Sequence, residues 1–400
     1  MSAWRELVAG LAADGTLTAE WTPVFEALPR SGFLPGVIWR HHVPTGRVEA
    51  VDGTREPYRW QMAAESGDPL VTQWDDGEHQ GLEQGRVASS SASAPSVVAA
   101  MLADLDVRPG QRVLEVGTGT GWNVGLLARR LGAEAVTTVE VDRDLADAAR
   151  AALERQGLGA VTVVHGDGFQ GHRPRAPYDR VIATCGVHTI PPAWLRQCRP
   201  GGRIVAPWGT RFTRTEATVA LTVAEDGRSA SGPFTMLVQF MSLRAQRQDL
   251  PSYADYVTAE SREKADRGTT ALTLGETLAN EWDISRFVLG LLVPDCAVVF
   301  DTPQGGRRPV WLCGLGDDRS WACVLFREDE RPSTVYQYGI RRLWDEVEAA
   351  DAWWQEQGRP GLGRLGLTVG DHGQQVWVDT PDHVVGHAVS VSAGEQGKSR

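Results

Sequence analysis

The sequence predicts an α/β protein built on a doubly wound, Rossmann-like sheet of seven strands, with an N-terminal helical and loop cap and a smaller C-terminal α+β domain. Three observations support this prediction. A short apolar run, Val113 to Val116, leads directly into a cluster of glycines. Strand-like and helix-like apolar patterns then alternate along the middle of the chain. Finally, 400 residues with 42% hydrophobic side chains are more than one small domain needs.

The central stretch, Arg112 to Asn123, reads as a buried strand, a glycine-rich turn and the start of a helix. Glycine permits backbone conformations and close approaches to a ligand that a Cβ would obstruct. The apolar spacing from Val124 to Leu131 is helical, so this helix would direct its N-terminus at the bound molecule. We therefore predict that the turn binds a nucleoside cofactor through Glu115, Gly117, Thr118, Gly119 and Gly121.

Acidic residues follow the next two predicted strands. Glu140 comes after a strand at Ala135 to Val139, where it can accept hydrogen bonds from ribose hydroxyls. Asp167 comes after a strand at Val161 to Val164, where it can accept a hydrogen bond from an adenine amino group. Neighbouring positions complete the predicted cofactor site: Val141, Gly166, Gly168 and, after the fourth strand, Thr184.

This order of glycine turn and acidic residues resembles the class I S-adenosylmethionine-dependent methyltransferases. The resemblance implies S-adenosyl-L-methionine as the cofactor, with S-adenosyl-L-homocysteine as its product. A nicotinamide-dependent enzyme is the alternative, because tight glycine turns also occur in dinucleotide-binding proteins.

A run of serines, Ser89 to Ser96, precedes a predicted helix. Pro95 is favoured in a first helical turn, and helical apolar spacing continues to Leu105. Hydroxyl groups and free backbone N–H groups at a helix N-terminus can hold a carboxylate, although simple helix capping would explain any one serine. The serines of this run, Ser91 and Ser93 among them, are therefore placed to hold a carboxylate.

Motifs over residues 20–245 form a joint pattern. They are Leu28-Pro29-Arg30 with Phe33 and Pro35, Ser93-Ala94-Pro95, Val113 to Gly121, Gly166-Asp167-Gly168 with Gly171, Ala176-Pro177-Tyr178-Asp179, Ile190-Pro191, and Gly201-Gly202-Arg203 through Pro207. Together they resemble protein-L-isoaspartate (D-aspartate) O-methyltransferase. In that family the serine of a Ser-Gln-Pro motif lies beside the substrate carboxylate and the methyl group. Ser93 matches this serine, but Ala94 replaces the glutamine, a departure that concerns substrate recognition.

The N-terminal and C-terminal regions flank this pattern. An irregular, polar region with tryptophans at 39, 60 and 74 is interpreted either as a loop laid over a domain or as a lid or peptide-binding edge. Gln246 to Ala279 is predicted to be polar and largely helical. Strands and one helix are predicted beyond it: Ala297 to Phe300, Val310 to Cys313, Ala322 to Phe326, and a helix through Leu343 and Trp354. The predicted domains are 1–88, 89–245 and 246–387, followed by a disordered tail, 388–400.

Two C-terminal segments, Gln337 to Asp345 and Gly366 to Asp379, resemble the extension of isoaspartyl methyltransferase homologues encoded with ribosomally made, modified peptides such as graspetides, lanthipeptides and lasso peptides. The resemblance implies methylation of one aspartate in a macrocyclised precursor peptide, whose ester closes to an aspartimide. Repair of isoaspartate in damaged proteins is the alternative function, and a cofactor-binding module without turnover is a third. An extra packing domain is the alternative role for the extension.

Composition and chemistry limit the other partners. A net charge of -11 argues against binding nucleic acid phosphates, and five scattered cysteines suit reduced thiols. A signal-peptide pattern is missing at the N-terminus, and the most apolar stretch, Phe287 to Phe300, is too short to span a bilayer. A carboxylate is already ionised at neutral pH, so neither a general base nor a metal is expected. The expected protein is cytoplasmic and monomeric, with a peptide substrate and no nucleic acid or membrane partner.

Overall fold

The computed structural model describes residues 2–42, 47–247, 252–278, 280, 282–329 and 331–388. The helices in these ranges are α1 Ala3–Ala13, α2 Thr22–Ala27, α3 Pro57–Ala64, α4 Pro95–Leu105, α5 Trp122–Leu131, α6 Arg143–Arg155, α7 Pro192–Gln197, α8 Tyr253–Tyr256, α9 Ala259–Glu263, α10 Leu274–Thr277, α11 Ile284–Leu292 and α12 Leu343–Glu356. The tail predicted to be disordered lies, from residue 389 onward, outside the described residues.

The strands form three sheets. They are β1 Val37–His42, β2 Arg47–Asp52, β3 Leu70–Trp74, β4 Ala88–Ala92, β5 Val113–Val116, β6 Val136–Glu140, β7 Thr162–His165, β8 Tyr178–Ala183, β9 Cys198–Trp208, β10 Glu216–Val223, β11 Ala230–Val238, β12 Asp266–Thr270, β13 Cys296–Phe300, β14 Arg307–Gly314, β15 Trp321–Arg327, β16 Ser333–Tyr338, β17 Leu365–Gly370, β18 Gly373–Val378 and β19 Val384–Ala388.

The central sheet confirms the predicted doubly wound fold. Its order begins β7-β6-β5-β8-β9, all parallel, and continues with antiparallel β10 and β11. These are the seven predicted strands. Strands β5, β6 and β8 are buried along their whole length, because helices cover both faces of a parallel sheet.

The N-terminal region differs from the predicted loop. Its strands form an antiparallel sheet of order β2-β1-β3-β4, which carries helix α3. The serine run enters this sheet, since Ser91 pairs with Val71 in β3. The strands escape sequence analysis because they are short, polar and interrupted by register shifts. The predicted domain limit after residue 88 falls at the start of β4 and stays a prediction.

The C-terminal region contains an antiparallel sheet of order β12-β16-β15-β14-β13, and the three strands predicted there lie within β13, β14 and β15. The helical prediction for Gln246 to Ala279 is only partly right. The described part of that stretch holds three short helices, two of them begun by the caps Thr258 and Thr273, and the strand β12. Backbone pairing of β12 with β16 overrides the weak local helix signal.

The last three strands do not belong to the five-stranded C-terminal sheet and instead extend the central sheet to ten strands. Strand β17 pairs with β11, and β18 and β19 follow in order. Leu367 and Val378 are fully buried in the same core as Trp194 and Trp208 of the central sheet. The C-terminal region is therefore joined to the central sheet by strand pairing and by a shared hydrophobic core. Among the described helices, none has the length and apolar character needed to cross a membrane.

Candidate functional site

A cavity of about 120 Å³ opens to solvent beside the carboxyl ends of β5, β6 and β8. This is the edge at which open α/β sheets bind ligands. The segments that line it are Ser89–Ser93, Val116–Thr120, Val139–Val141, Thr184–Cys185 and Phe240–Arg244, together with single side chains that include Asn123, Gly168 and Arg247. Most of the predicted site residues therefore face one cavity.

The glycine turn forms the floor of this cavity. Gly117 and Gly119 have φ angles of 92° and 52°, which side-chain-bearing residues rarely adopt. A Cβ at Gly117 would also lie 2.9 Å from the Thr184 hydroxyl oxygen. Thr184 lines the cavity and donates a hydrogen bond to the Gly117 carbonyl. Gly121 is the N-cap of α5 and lies outside the cavity lining, so its predicted contact with the cofactor stays a prediction.

Glu140 is held at the cavity wall by two backbone N–H groups. Its Oε2 accepts a hydrogen bond from Gly119 at 2.9 Å, and its Oε1 accepts one from Asp142 at 3.1 Å. Val141, which follows it, is 37% exposed and lines the cavity. The end of β6 thus presents a fixed carboxylate beside an accessible apolar side chain.

Glu115 lies beneath the cavity, outside its lining. It is fully buried and accepts hydrogen bonds from Asn123 Nδ2 at 2.7 Å and Thr138 Oγ1 at 2.5 Å. Burial raises the pKa of Glu115 to about 7. Asn123 does line the cavity, so its hydrogen bond connects Glu115 to the cavity wall. Sequence analysis did not single out Asn123, although its position in the first turn of α5 could have indicated it.

Of the three residues predicted after β7, only Gly168 lines the cavity. Gly166 continues the pairing of β6 and β7, because its N–H donates to the Glu140 carbonyl at 2.8 Å. Asp167 is exposed, and its Oδ1 accepts a hydrogen bond from Phe169 N–H at 2.9 Å. In this structure Asp167 shapes the turn next to the cavity, and its adenine contact stays a prediction.

Ser91 and Ser93 line the cavity on the side of the N-terminal sheet. Across the described ranges, the hydroxyl groups of these two serines have no hydrogen-bond partner in the protein. By contrast, the Ser90 hydroxyl is buried and accepts a hydrogen bond from Thr72 at 3.1 Å. Helix α4 begins at Pro95, and Ala94 gives it no side-chain cap. Two available hydroxyls therefore lie just ahead of a helix N-terminus.

Arg30 fixes the position of this serine segment. It is 0% exposed and donates hydrogen bonds to five backbone carbonyls, including that of Ser93 at 3.0 Å. Desolvation lowers the pKa of Arg30 to about 10, so it stays charged at neutral pH. The sequence flagged Arg30 only through its place in the family pattern. Its carbonyl partners could not be read from the sequence.

Two arginines at the cavity mouth were missed by sequence analysis. Arg244 contacts Asp76 at 3.2 Å and Asp142 at 3.4 Å, and Arg247 contacts Asp76 at 2.8 Å. Gln73 joins the group by donating to Asp142 at 3.1 Å. These side chains come from three separate segments, so only the fold brings them together. Within the described part of the chain, no group of His, Cys, Asp or Glu could hold a metal ion.

Comparisons with known proteins agree with this geometry. Residues 78–248 match the family model described as protein-L-isoaspartate(D-aspartate) O-methyltransferase. Two curated relatives bear the name protein-L-isoaspartate O-methyltransferase. The Pyrococcus horikoshii protein is 42% identical over 31% of this chain and 56% of its own length, and the Methanopyrus kandleri protein is 43% identical over 34% and 60%.

A solved structure with the name protein-L-isoaspartate O-methyltransferase aligns with 94% of this chain and 100% of its own, with a TM-score of 0.52 and 21% identity, which supports the fold. The chain spans a little over half the length of the curated relatives it matches. Residues 78–248, which contain the glycine turn and most of the cavity lining, are therefore similar to the protein-L-isoaspartate (D-aspartate) O-methyltransferase family.

Proposed function

We propose that the protein is an S-adenosylmethionine-dependent carboxyl O-methyltransferase that acts on an aspartyl-type side chain in a protein or peptide. The observation that carries the proposal is the pair of available hydroxyls, Ser91 and Ser93, in the same cavity as the glycine turn and Glu140. The family match of residues 78–248 supports the reaction class.

The cavity residues suit this cofactor. The backbone of Gly117 to Gly119 would cradle its amino-acid end, Glu140 would accept hydrogen bonds from the ribose hydroxyls, and Val141 would pack against the adenine. When bound, S-adenosylmethionine supplies a methyl group on a positively charged sulfur. The names of the relatives, which are methyltransferases, support this choice over a nicotinamide cofactor.

The remaining task of the protein is to align the acceptor. Ser93 would donate a hydrogen bond to one oxygen of the acceptor carboxylate, and the free N–H groups of the first turn of α4 would add attraction for its charge. The other oxygen then forms a bond to the methyl carbon as the carbon–sulfur bond breaks. Because the carboxylate is ionised at neutral pH, alignment is enough and no proton has to be removed.

Isoaspartyl residues of damaged proteins are the acceptor that the comparisons favour, since the curated relatives carry that substrate in their names. The methyl ester is a better leaving group than the acid. Attack by the following backbone amide releases methanol and leaves a succinimide.

A dedicated modified peptide is the second candidate acceptor. Two features favour it: Ala94 stands where the family pattern has glutamine, and a C-terminal region beyond residue 248, outside the family match, completes the central sheet. Under this proposal the product is an aspartimide at one aspartate of a macrocyclised precursor.

Mass spectrometry of two incubations with S-adenosylmethionine would test the proposal. One incubation contains a generic isoaspartyl peptide and the other a macrocyclised peptide with a single aspartate as the candidate precursor. A gain of one CH₂ on the isoaspartyl peptide means repair. A gain of one CH₂ followed by a net loss of one water, on the precursor alone, means a dedicated aspartimide-forming enzyme. No methyl transfer to either carboxylate would contradict the proposed reaction class.

A further inference from the structure

The loop after β8, residues 186–191, lies between the cavity and the C-terminal strands. Thr184 and Cys185, which precede it, line the cavity. Gly186 exchanges backbone hydrogen bonds with the facing segment: its N–H donates to Met241 O at 2.9 Å, and its carbonyl accepts from Leu243 N–H at 2.8 Å. Met241 and Leu243 line the cavity as well, so a shift of this loop would move two walls together.

Two glutamine side chains hold the backbone of this loop. Gln246 Oε1 accepts hydrogen bonds from the N–H groups of His188 at 2.8 Å and Thr189 at 3.0 Å, and its Nε2 donates to the Thr189 carbonyl at 2.7 Å. Gln374 Oε1 accepts a hydrogen bond from Ile190 N–H at 2.8 Å, and its Nε2 donates to the His188 carbonyl at 3.0 Å. The two amides thus pair with every N–H from 188 to 190.

Gln374 belongs to β18, which is separated from β8 in the sheet by β9, β10, β11 and β17. The contact is possible because the twisted sheet curls, so that its last strands return over the region of α7. Gln374 is 4% exposed, and Ile190 is equally buried at 4%. Losing this amide would leave a buried backbone N–H and a carbonyl unpaired, which is costly.

The loop lies on the acceptor side of the cavity. The sheet order β6-β5-β8 places Glu140, at the end of β6, and the 184–190 segment, after β8, on opposite sides of the glycine turn. When Glu140 holds the ribose, the space on the β8 side of the cavity therefore remains available for the acceptor. We propose that Gln374 is a positioning residue for the acceptor peptide: through the 188–190 backbone, the C-terminal region shapes the acceptor wall without contacting the cofactor. This inference rests on the proposed methyl transfer.

The substitution Gln374→Met would test this, because methionine has a similar volume and removes both hydrogen bonds. The matched control is Gln375→Met, the next residue of β18, whose side chain points to the opposite face of the sheet. We expect Q374M to raise the acceptor KM about 5- to 30-fold relative to Q375M, with cofactor binding measured by calorimetry unchanged within about twofold. Amide hydrogen exchange at 188–190 should be faster in Q374M alone.

Equal acceptor KM values in Q374M and Q375M would overturn the inference, as would a parallel loss of cofactor affinity in Q374M, which would indicate a general structural role. Should Q374M fail to fold, Q374N keeps an amide that is one methylene shorter and so weakens both hydrogen bonds without adding a charge, and an intermediate KM is expected. Wild-type protein that methylates neither acceptor overturns the proposed function and the kinetic inference with it. The exchange measurement then still shows whether Gln374 orders the loop.

Discussion

At the residue scale, Ser93 and Glu140 differ in how the fold holds them. The carboxylate of Glu140 accepts two backbone hydrogen bonds, whereas the hydroxyl of Ser93, which lines the cavity, has no partner within the described ranges. A carboxylate fixed by the fold suits a cofactor that binds in the same way each time. A hydroxyl that can rotate suits an acceptor whose position is set by the rest of its peptide.

Replacing Ser93 by alanine should lower kcat/KM for the acceptor about 10- to 100-fold, because a hydrogen bond to a charged group is lost. Cofactor affinity should stay unchanged. The measurement is steady-state methyl transfer together with calorimetric cofactor binding. Ser96→Ala is the control, since Ser96 is close in sequence but does not line the cavity. Equal effects of the two substitutions would argue against a role for Ser93 in acceptor binding.

Glu216 should make stability depend on pH. Burial raises its pKa from 4.5 to about 8, so the folded protein keeps a proton that the unfolded chain releases. The free energy of unfolding should therefore fall as pH rises from about 4.5 to about 8, by at most about 1.4 kcal/mol per pH unit from this group. Its contribution is fully present below pH 4.5.

Glu216→Gln imitates the protonated acid and should flatten this part of the pH profile, measured by denaturant unfolding across the range. Glu225→Gln, an exposed residue of the β10–β11 hairpin, is the control and should leave the slope as it is. A wild-type slope retained in Glu216→Gln would show that other groups cause it.

At the element scale, the loop between β3 and β4 lies against the two arginines of the cavity mouth. Asp75 and Asp76 both have positive φ angles, 50° and 54°, and Asp75 holds the returning chain by accepting hydrogen bonds from the N–H groups of Arg86 and Val87. Asp76 is thereby presented to Arg244 and Arg247. The ion pairs connect the N-terminal sheet to the segment after β11 across the cavity.

Asp76→Asn should increase the rate of cofactor dissociation severalfold, because asparagine tolerates the positive φ but cannot form the ion pairs. Stopped-flow displacement of a fluorescent cofactor analogue measures this rate. Glu78→Gln, in the same loop but outside the ion pairs, is the control. Equal rates in both variants would mean that the loop does not limit release. Raised salt should reduce the difference between wild type and Asp76→Asn.

At this scale, sequence analysis predicts features that are encoded locally and misses contacts between segments that are far apart in sequence. The turn from β5 to α5 was predictable because glycines and buried strand residues encode it locally. The partners of Arg30, Arg244 and Arg247 were not, since they lie on segments far apart in sequence. The N-terminal sheet was missed because β4 is made of alanine and serine, which give a weak strand signal.

At the scale of the whole molecule, β17 to β19 make the two ends of the fold interdependent. Leu367 is fully buried in the core of the central sheet, although it lies far beyond the family match. Its segment was noted only for its resemblance to a known extension, and neither its strand nor its pairing with β11 was predicted. The edge of β11 is available to any strand, so sequence alone does not select its partner.

Leu367→Ala should reduce the free energy of unfolding by about 2 to 5 kcal/mol, the cost of a cavity in a packed core. Denaturant unfolding monitored by tryptophan fluorescence would measure it, and the transition of the central sheet should shift as a whole. Ile340→Ala is the control, because Ile340 is 87% exposed. Unfolding of the C-terminal region alone at lower denaturant, with the cofactor site unaffected, would contradict the shared core.

The late position of β17 in the chain also affects synthesis on the ribosome. Strand β11 is complete at Val238, but its partner β17 begins only at Leu365. At about 5 to 20 residues per second, β11 waits on the order of ten seconds with an unpaired edge and an uncovered apolar face. The nascent protein therefore passes through a period in which chaperone binding competes with aggregation, and the synthesis of β17 decides when that period ends.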